Sequence, residues 1–118
     1  MKEKNKISDQ VRLQIILGAI GDIESFVNGV SEENFLSNRL IHNACAKRLQ
    51  DLCNASEDLS ENLKAENPNL PWIQMDGIRN RLAHEYFGIN YKIIWQVIQG
   101  ELPDIKIIFQ KILENLQE

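Results

Sequence analysis

The chain has 118 residues, 13 of them basic and 17 acidic, for a net charge of −4, with 25% charged and 43% hydrophobic residues. That length and composition suit one folded globular domain spanning 1–118 and argue against disorder. A pI near 5.2 argues against a general nucleic-acid coat, so any polyanion site must be a local basic patch on an acidic body.

No apolar run approaches the ~20 residues of a membrane span. The opening Met-Lys-Glu-Lys-Asn-Lys is not followed by an apolar signal segment. The cytoplasm is the expected compartment, with no membrane partner.

The first helix is predicted from Leu13, Ile16, Ile20, Ile23 and Val27, which form one stripe at spacings of three and four. Ser8 is its expected N-cap and Gly29 its expected stop. Ser31, followed by Glu32 and Glu33, predicts a second helix start with acids in the first turn. Its stripe runs Asn38, His42, Cys45, Leu49, Leu52, Ser56, Leu59, Leu63, which predicts one long helix. The polar residues at the start of that stripe fit either a helix running past the core or a polar cleft. Cys45 and Cys53 lie ~12 Å apart along this helix, beyond the ~7 Å Cα limit of a disulfide. Buried reduced thiols are expected. There is no Cys-x-x-Cys and there are only two histidines, so neither a metal site nor a cofactor is expected.

Asn67-Pro68-Asn69-Leu70-Pro71 is a breaker. A third helix is predicted from about Trp72 to Tyr86. Asn90 is the expected cap of a short helix over Tyr91 to Gln99, which Gly100 ends. Pro103 and Asp104 then open a last helix lined by Ile105, Ile108, Ile112, Leu113 and Leu116. The fold class is all-α, a bundle of four to five helices.

The chemistry-bearing segment is Ile78-Arg79-Asn80-Arg81-Leu82-Ala83-His84-Glu85-Tyr86. On a helix, Arg79 shares a stripe with Met75, Leu82 and Tyr86, and Asn80 shares the next with Gly77 and His84. Gly77 costs ~1 kcal/mol in a helix interior, which suggests that a ligand or another backbone comes close there. Arg79 and His84 are ~140° apart and ~7.5 Å along the axis, so one straight helix cannot aim both at one small ligand. Either the last turn distorts, or the long arginine curls round, or a second copy of the helix completes the site. The last of these predicts a homodimer with these helices near the two-fold axis.

Histidine moves protons near neutral pH. Arginine is a fixed fork matched to phosphate oxygens, and asparagine can orient an imidazole or a sugar hydroxyl. The set suits metal-independent RNA cleavage by the ribose 2′-OH. From composition alone, such a set is more often an ion-paired face, and Tyr86 a core-edge residue.

The order Arg79-Asn80, then His84, then Tyr86 resembles the motif of the HEPN superfamily, in its HepT-like toxin branch. Phe35-Leu36-Ser37-Asn38-Arg39-Leu40, Asn67 to Trp72, His84-Glu85-Tyr86-Phe87-Gly88 and Val97 through Leu102-Pro103 carry the resemblance over nearly the whole chain. It implies a dimeric HEPN-type helical bundle and a type VII toxin that acts as a ribonuclease on RNA. Arg79, Asn80 and His84 are then its catalytic residues, and Arg81 and Arg39 expected phosphate contacts. It further implies a minimal nucleotidyltransferase antitoxin that adenylylates Tyr86. One departure stands out. Cys53-Asn54-Ala55 occupies the place where many relatives have Gly-Glu-Ala, so a carboxylate is missing there. The alternative reading is a non-catalytic helical module that assists a separate nucleotidyltransferase.

Overall fold

The computed structural model describes residues 2–68, 72–83 and 90–117. Among them every regular element is helical and no strand occurs, as an all-α chain requires.

Helix α1 (Lys2–Val27) is the central rod. At ~1.5 Å per residue its 26 residues account for ~39 Å of the molecule's 47 Å long axis. Leu13, Ile16, Ile20 and Ile23 are fully buried, as their spacing predicts. The helix starts six residues before Ser8, because Lys2–Ile7 contains nothing that stops it. Ser8 is therefore an interior residue and not the cap, and its Oγ accepts from the Arg12 guanidinium one turn on. Gly29 ends the run as expected, with φ +74°, and the Val30 amide donates to the Val27 carbonyl at 2.9 Å.

The predicted long second helix is three helices, α2 (Glu32–Ser37), α3 (Arg39–Glu57) and α4 (Glu61–Glu66). Ser31 caps α2 as expected, its Oγ accepting from the Asn34 amide at 3.1 Å. The first break is at Asn38, whose backbone is extended at φ −96° and ψ 99°. Asn38 closes α2 with its own amide and opens α3 by accepting from the Ile41 amide at 3.0 Å. The second break is imposed from 51 residues away. The buried carboxylate of Asp9 accepts from the Ser60 amide at 2.8 Å and from its hydroxyl at 2.5 Å. Ser60 Oγ in turn caps α4 through the Leu63 amide.

Helix α5 (Trp72–Ala83) follows the proline breaker; the predicted continuation to Tyr86 lies outside the described residues. Asn90 caps α6 (Tyr91–Gln96) as expected, accepting from the Lys92 and Ile93 amides. Gly100 does not end this helix. The chain passes through one π-helical turn, Val97–Glu101, into α7 (Leu102–Gln117). The Leu102 amide reaches back to the Val97 carbonyl. Pro103 has no N–H and its ring crowds the carbonyl four residues back. The widened turn before it lets the rod continue.

Ion pairs and hydrogen bonds give the packing directions. Asp9 meets Ser60 and Asp22 meets Arg48 at 3.0 Å, so α1 and α3 are antiparallel. Gln10 donates to the Leu116 carbonyl at 3.2 Å and Lys106 pairs with Glu24 at 2.9 Å, so α1 and α7 are antiparallel too. The core between these rods holds Phe35, Leu49, Leu52, Leu102, Ile105 and Phe109, all essentially unexposed. Helices α5 and α6 pack on α3. No helix among the described residues is long and apolar enough to cross a membrane.

Candidate functional site

Helix α5 lays Met75, Ile78 and Leu82 into the core, and this fixes the directions of the polar residues between them. Arg79 sits beside that buried stripe at the edge facing α3. Its guanidinium Nη1 pairs with the Glu57 carboxylate in the last turn of α3. The Arg79 side chain is still 39% exposed, so the rest of its fork faces solvent. The hydrogen bond that Arg79 donates to Glu57, followed by the attraction of the carboxylate charge, raises the Arg79 pKa above the ordinary arginine value. The cation is permanent.

Asn80 is exposed. Arg81 points elsewhere, donating through Nε to the Gly77 carbonyl at 3.2 Å and pairing with Glu101 of the π turn, also at 3.2 Å. A Cβ added at Gly77 would meet nothing within 4 Å, so that face is open among the described residues. His84 and Tyr86, the other two expected site residues, lie outside the described residues. Arg39 is at the opposite end of α3, 18 residues before Glu57 and hence ~27 Å from it. It lines a separate shallow groove with Asn34, Ser37 and Asn38 and does not join the Arg79 site.

Asn54, where the resemblance lacks its carboxylate, is exposed one turn before Glu57. The acid that α3 presents to Arg79 is thus Glu57, a residue the sequence analysis did not single out. The signal was its position three residues after Asn54, on nearly the same helix face.

A groove of about 340 Å³ opens beside Arg79, lined by Cys53, Glu57, Lys64, Trp72 and Asp76 among others. Lys64 Nζ donates to the main-chain carbonyl of Glu57 at 2.9 Å. The Trp72 indole donates to the Asn67 carbonyl at 2.9 Å and sets its edge against Phe109. Among the described residues, no three His, Cys, Asp or Glu side chains converge as a metal site would need.

His42, the polar residue in the α3 stripe, is buried. Its Nδ1 donates to the Phe35 carbonyl at 3.0 Å, and its ring stacks on Tyr91 with centroids 3.7 Å apart. The helix does not run past the core there: His42 is a satisfied interior histidine. Only Asn38, at the capping position, is exposed.

Both cysteines are free and buried, as expected. Burial pushes the Cys45 thiol up to about 11 from its ordinary 9.0. Burial, reinforced by Asp76 and opposed by Arg79 and Arg81, takes Cys53 to about 12. Neither is a thiolate at neutral pH, so neither is a nucleophile. The folded state favours the neutral thiols. Their stabilising contribution is therefore complete below pH 9 and is lost as pH rises toward 11–12. A disulfide-exchange reagent at pH 8 should label neither thiol in the native protein and both in denaturant; rapid native labelling would contradict this burial.

The family model described as "Ribonuclease HepT-like" matches residues 16–112. The chain is 31% identical over 103 residues to "Putative RNase MJ0125" of Methanocaldococcus jannaschii, covering 87% of this chain and 89% of that protein. It is 30% identical over 107 residues to "Probable ribonuclease HepT" of Thermococcus cleftensis, covering 91% and 97%. It is 33% identical over 89 residues to "Putative RNase TTE0752" of Caldanaerobacter subterraneus, covering 75% and 80%. No solved structure matches it.

Proposed function

The chain belongs to the HepT-like ribonuclease family, and from that premise we propose that it is a metal-independent RNA endonuclease, the toxin half of a pair with a minimal nucleotidyltransferase. The observation that carries this reading is Arg79. It is a permanent cation pinned through one nitrogen by Glu57, with the rest of its fork open to solvent beside exposed Asn80.

The ribose 2′-oxygen attacks the adjacent phosphorus and the 5′-oxygen leaves. His84 takes the 2′-hydroxyl proton and passes it on to the leaving 5′-oxygen. Arg79 stabilises the charge that builds on the phosphoryl oxygens. Asn80, four residues before His84 in the sequence, orients the imidazole or a sugar hydroxyl. The ~140° that the helix predicted from the sequence would put between Arg79 and His84 is the reason for proposing a homodimer with α5 near the two-fold axis. Tyr86, which the same sequence prediction puts on the Arg79 stripe, is the proposed adenylylation acceptor. An AMP phosphate on its phenol oxygen would draw Arg79 and Arg81 by charge-assisted hydrogen bonds and block the RNA site.

The test is incubation of the purified protein with single-stranded RNA in excess EDTA, expected to yield 2′,3′-cyclic phosphate and 5′-hydroxyl ends. Failure to cleave would favour the helical binding module. Co-expression with the nucleotidyltransferase should add one AMP to the intact mass, and Tyr86→Phe should abolish that increment. An increment that survives the substitution would remove Tyr86 from the proposal.

A further inference from the structure

Residue 57 holds two cations at once. Its carboxylate pairs with Arg79 Nη1 from α5, and its main-chain carbonyl accepts from Lys64 Nζ of α4 at 2.9 Å. Lysine at the carbonyl end of a helix is favoured by the helix dipole, and α3 ends at this residue. Three separate helices therefore bring a lysine and an arginine to the two sides of a single residue. This occurs in a chain whose net charge is −4, where any polyanion site has to be built locally.

The two cations share one groove of about 340 Å³, which α5 borders from Arg79 back to Trp72. Those residues are seven apart, ~10.5 Å along the helix. That length exceeds what one phosphate needs, and the volume lies in the range of small-molecule sites. The remaining lining is of the kind a nucleotide uses. Half-buried Trp72 contributes indole surface of the sort on which bases stack. Asp76 and Glu57 offer carboxylate acceptors of the kind that read base amino groups. The groove extends from Arg79 toward the start of α5, whereas His84 lies five residues further along the chain in the other direction.

We propose that the groove between α3, α4 and α5 is a subsite for the single-stranded RNA nucleotide next to the scissile phosphate, with Lys64 contacting its phosphate and Trp72 its base. Glu57 keeps both cations in place while the site is empty. The proposal rests on the ribonuclease reading and deepens it by naming where a neighbouring nucleotide is held.

The test uses the full chain carrying His84→Ala, so that RNA is bound and not consumed, and follows the anisotropy of a labelled single-stranded oligoribonucleotide across a salt series. Lys64→Ala should weaken binding roughly tenfold at low salt. It should also flatten the dependence of log affinity on log salt by ~0.7, the value for one phosphate contact on a single strand. Lys64→Arg, which keeps the charge, should restore most of both. Lys111→Ala, an exposed lysine on α7, is the control for net charge. If Lys64→Ala leaves affinity and slope unchanged, or changes them no more than Lys111→Ala does, the subsite is overturned. Cleavage by the unsubstituted chain separates the two failures. A protein that cleaves RNA but ignores Lys64 loses only the subsite; one that neither cleaves nor binds RNA loses the ribonuclease reading with it.

Discussion

Arg79→Ala and His84→Ala are each expected to lower RNA cleavage by ~10²–10⁴-fold while the helical circular dichroism and the melting transition stay close to those of the parent. The separation of the two readouts follows from where Arg79 sits. Its side chain is 39% exposed and its partner Glu57 is 56% exposed. A solvated pair of that kind contributes little to folding, and removing the arginine strands no charge in the core. Arg79 holds a fork toward solvent, so Arg79→Lys, a point charge without the fork, should fall between parent and alanine. Single-turnover cleavage and a thermal melt on the same preparations decide the matter. If both alanine variants cleave as the parent does, the assignment fails. If Arg79→Ala melts many degrees lower, the arginine is a helix staple and not a catalytic group.

Phe109→Ala is expected to cost ~3–5 kcal/mol, against a total stability of ~5–15 kcal/mol for a domain of this kind. Phe109 is fully buried on α7, and its ring receives the edge of Trp72 with centroids 6.0 Å apart. Trp72 is the first residue of α5. The cavity would therefore open at the point where the Arg79 helix begins, and the variant should lose activity even where it stays folded. Urea unfolding reads the loss as a lower midpoint at an unchanged slope. A cost below ~1 kcal/mol would mean that the core closes over the space, and that Phe109 does not anchor the start of α5.

Local pattern was readable from the sequence, and long-range pinning was not. The α1 stripe, the Gly29 stop, the Ser31 and Asn90 caps and the reduced thiols all depend on residues within a turn or two of one another. The continuous second helix was the main misreading. Its apolar spacing persists across two breaks, because α2, α3 and α4 each bury Phe35, Leu49 or Leu63 against the same core. What interrupts it at Ser60 is Asp9, a carboxylate 51 residues earlier, and no local window holds both. Ser8 was misread because a good capping residue need not cap when the chain before it is also helix-forming. At the candidate site, Arg79 was readable from its motif. Its partner Glu57 was not, since the expected carboxylate position is occupied by Asn54 and the acid that pairs with Arg79 stands one turn on.

The π turn leaves a record in the residue count of its helix. The buried positions from α6 into α7 run Ile94, Val97, Ile98, Leu102, Ile105, Phe109 and Ile112. The Leu102 amide bonds five residues back, to Val97, where an ordinary helix bonds four. That turn therefore carries one residue more than its neighbours, and Val97 and Ile98 both reach the core within it. The surplus is absorbed inside a helix and not in a loop. The extra residue makes room for Pro103 and goes with the pairing of Glu101 and Arg81. A relative lacking the residue would be expected to have lost the proline and the ion pair together.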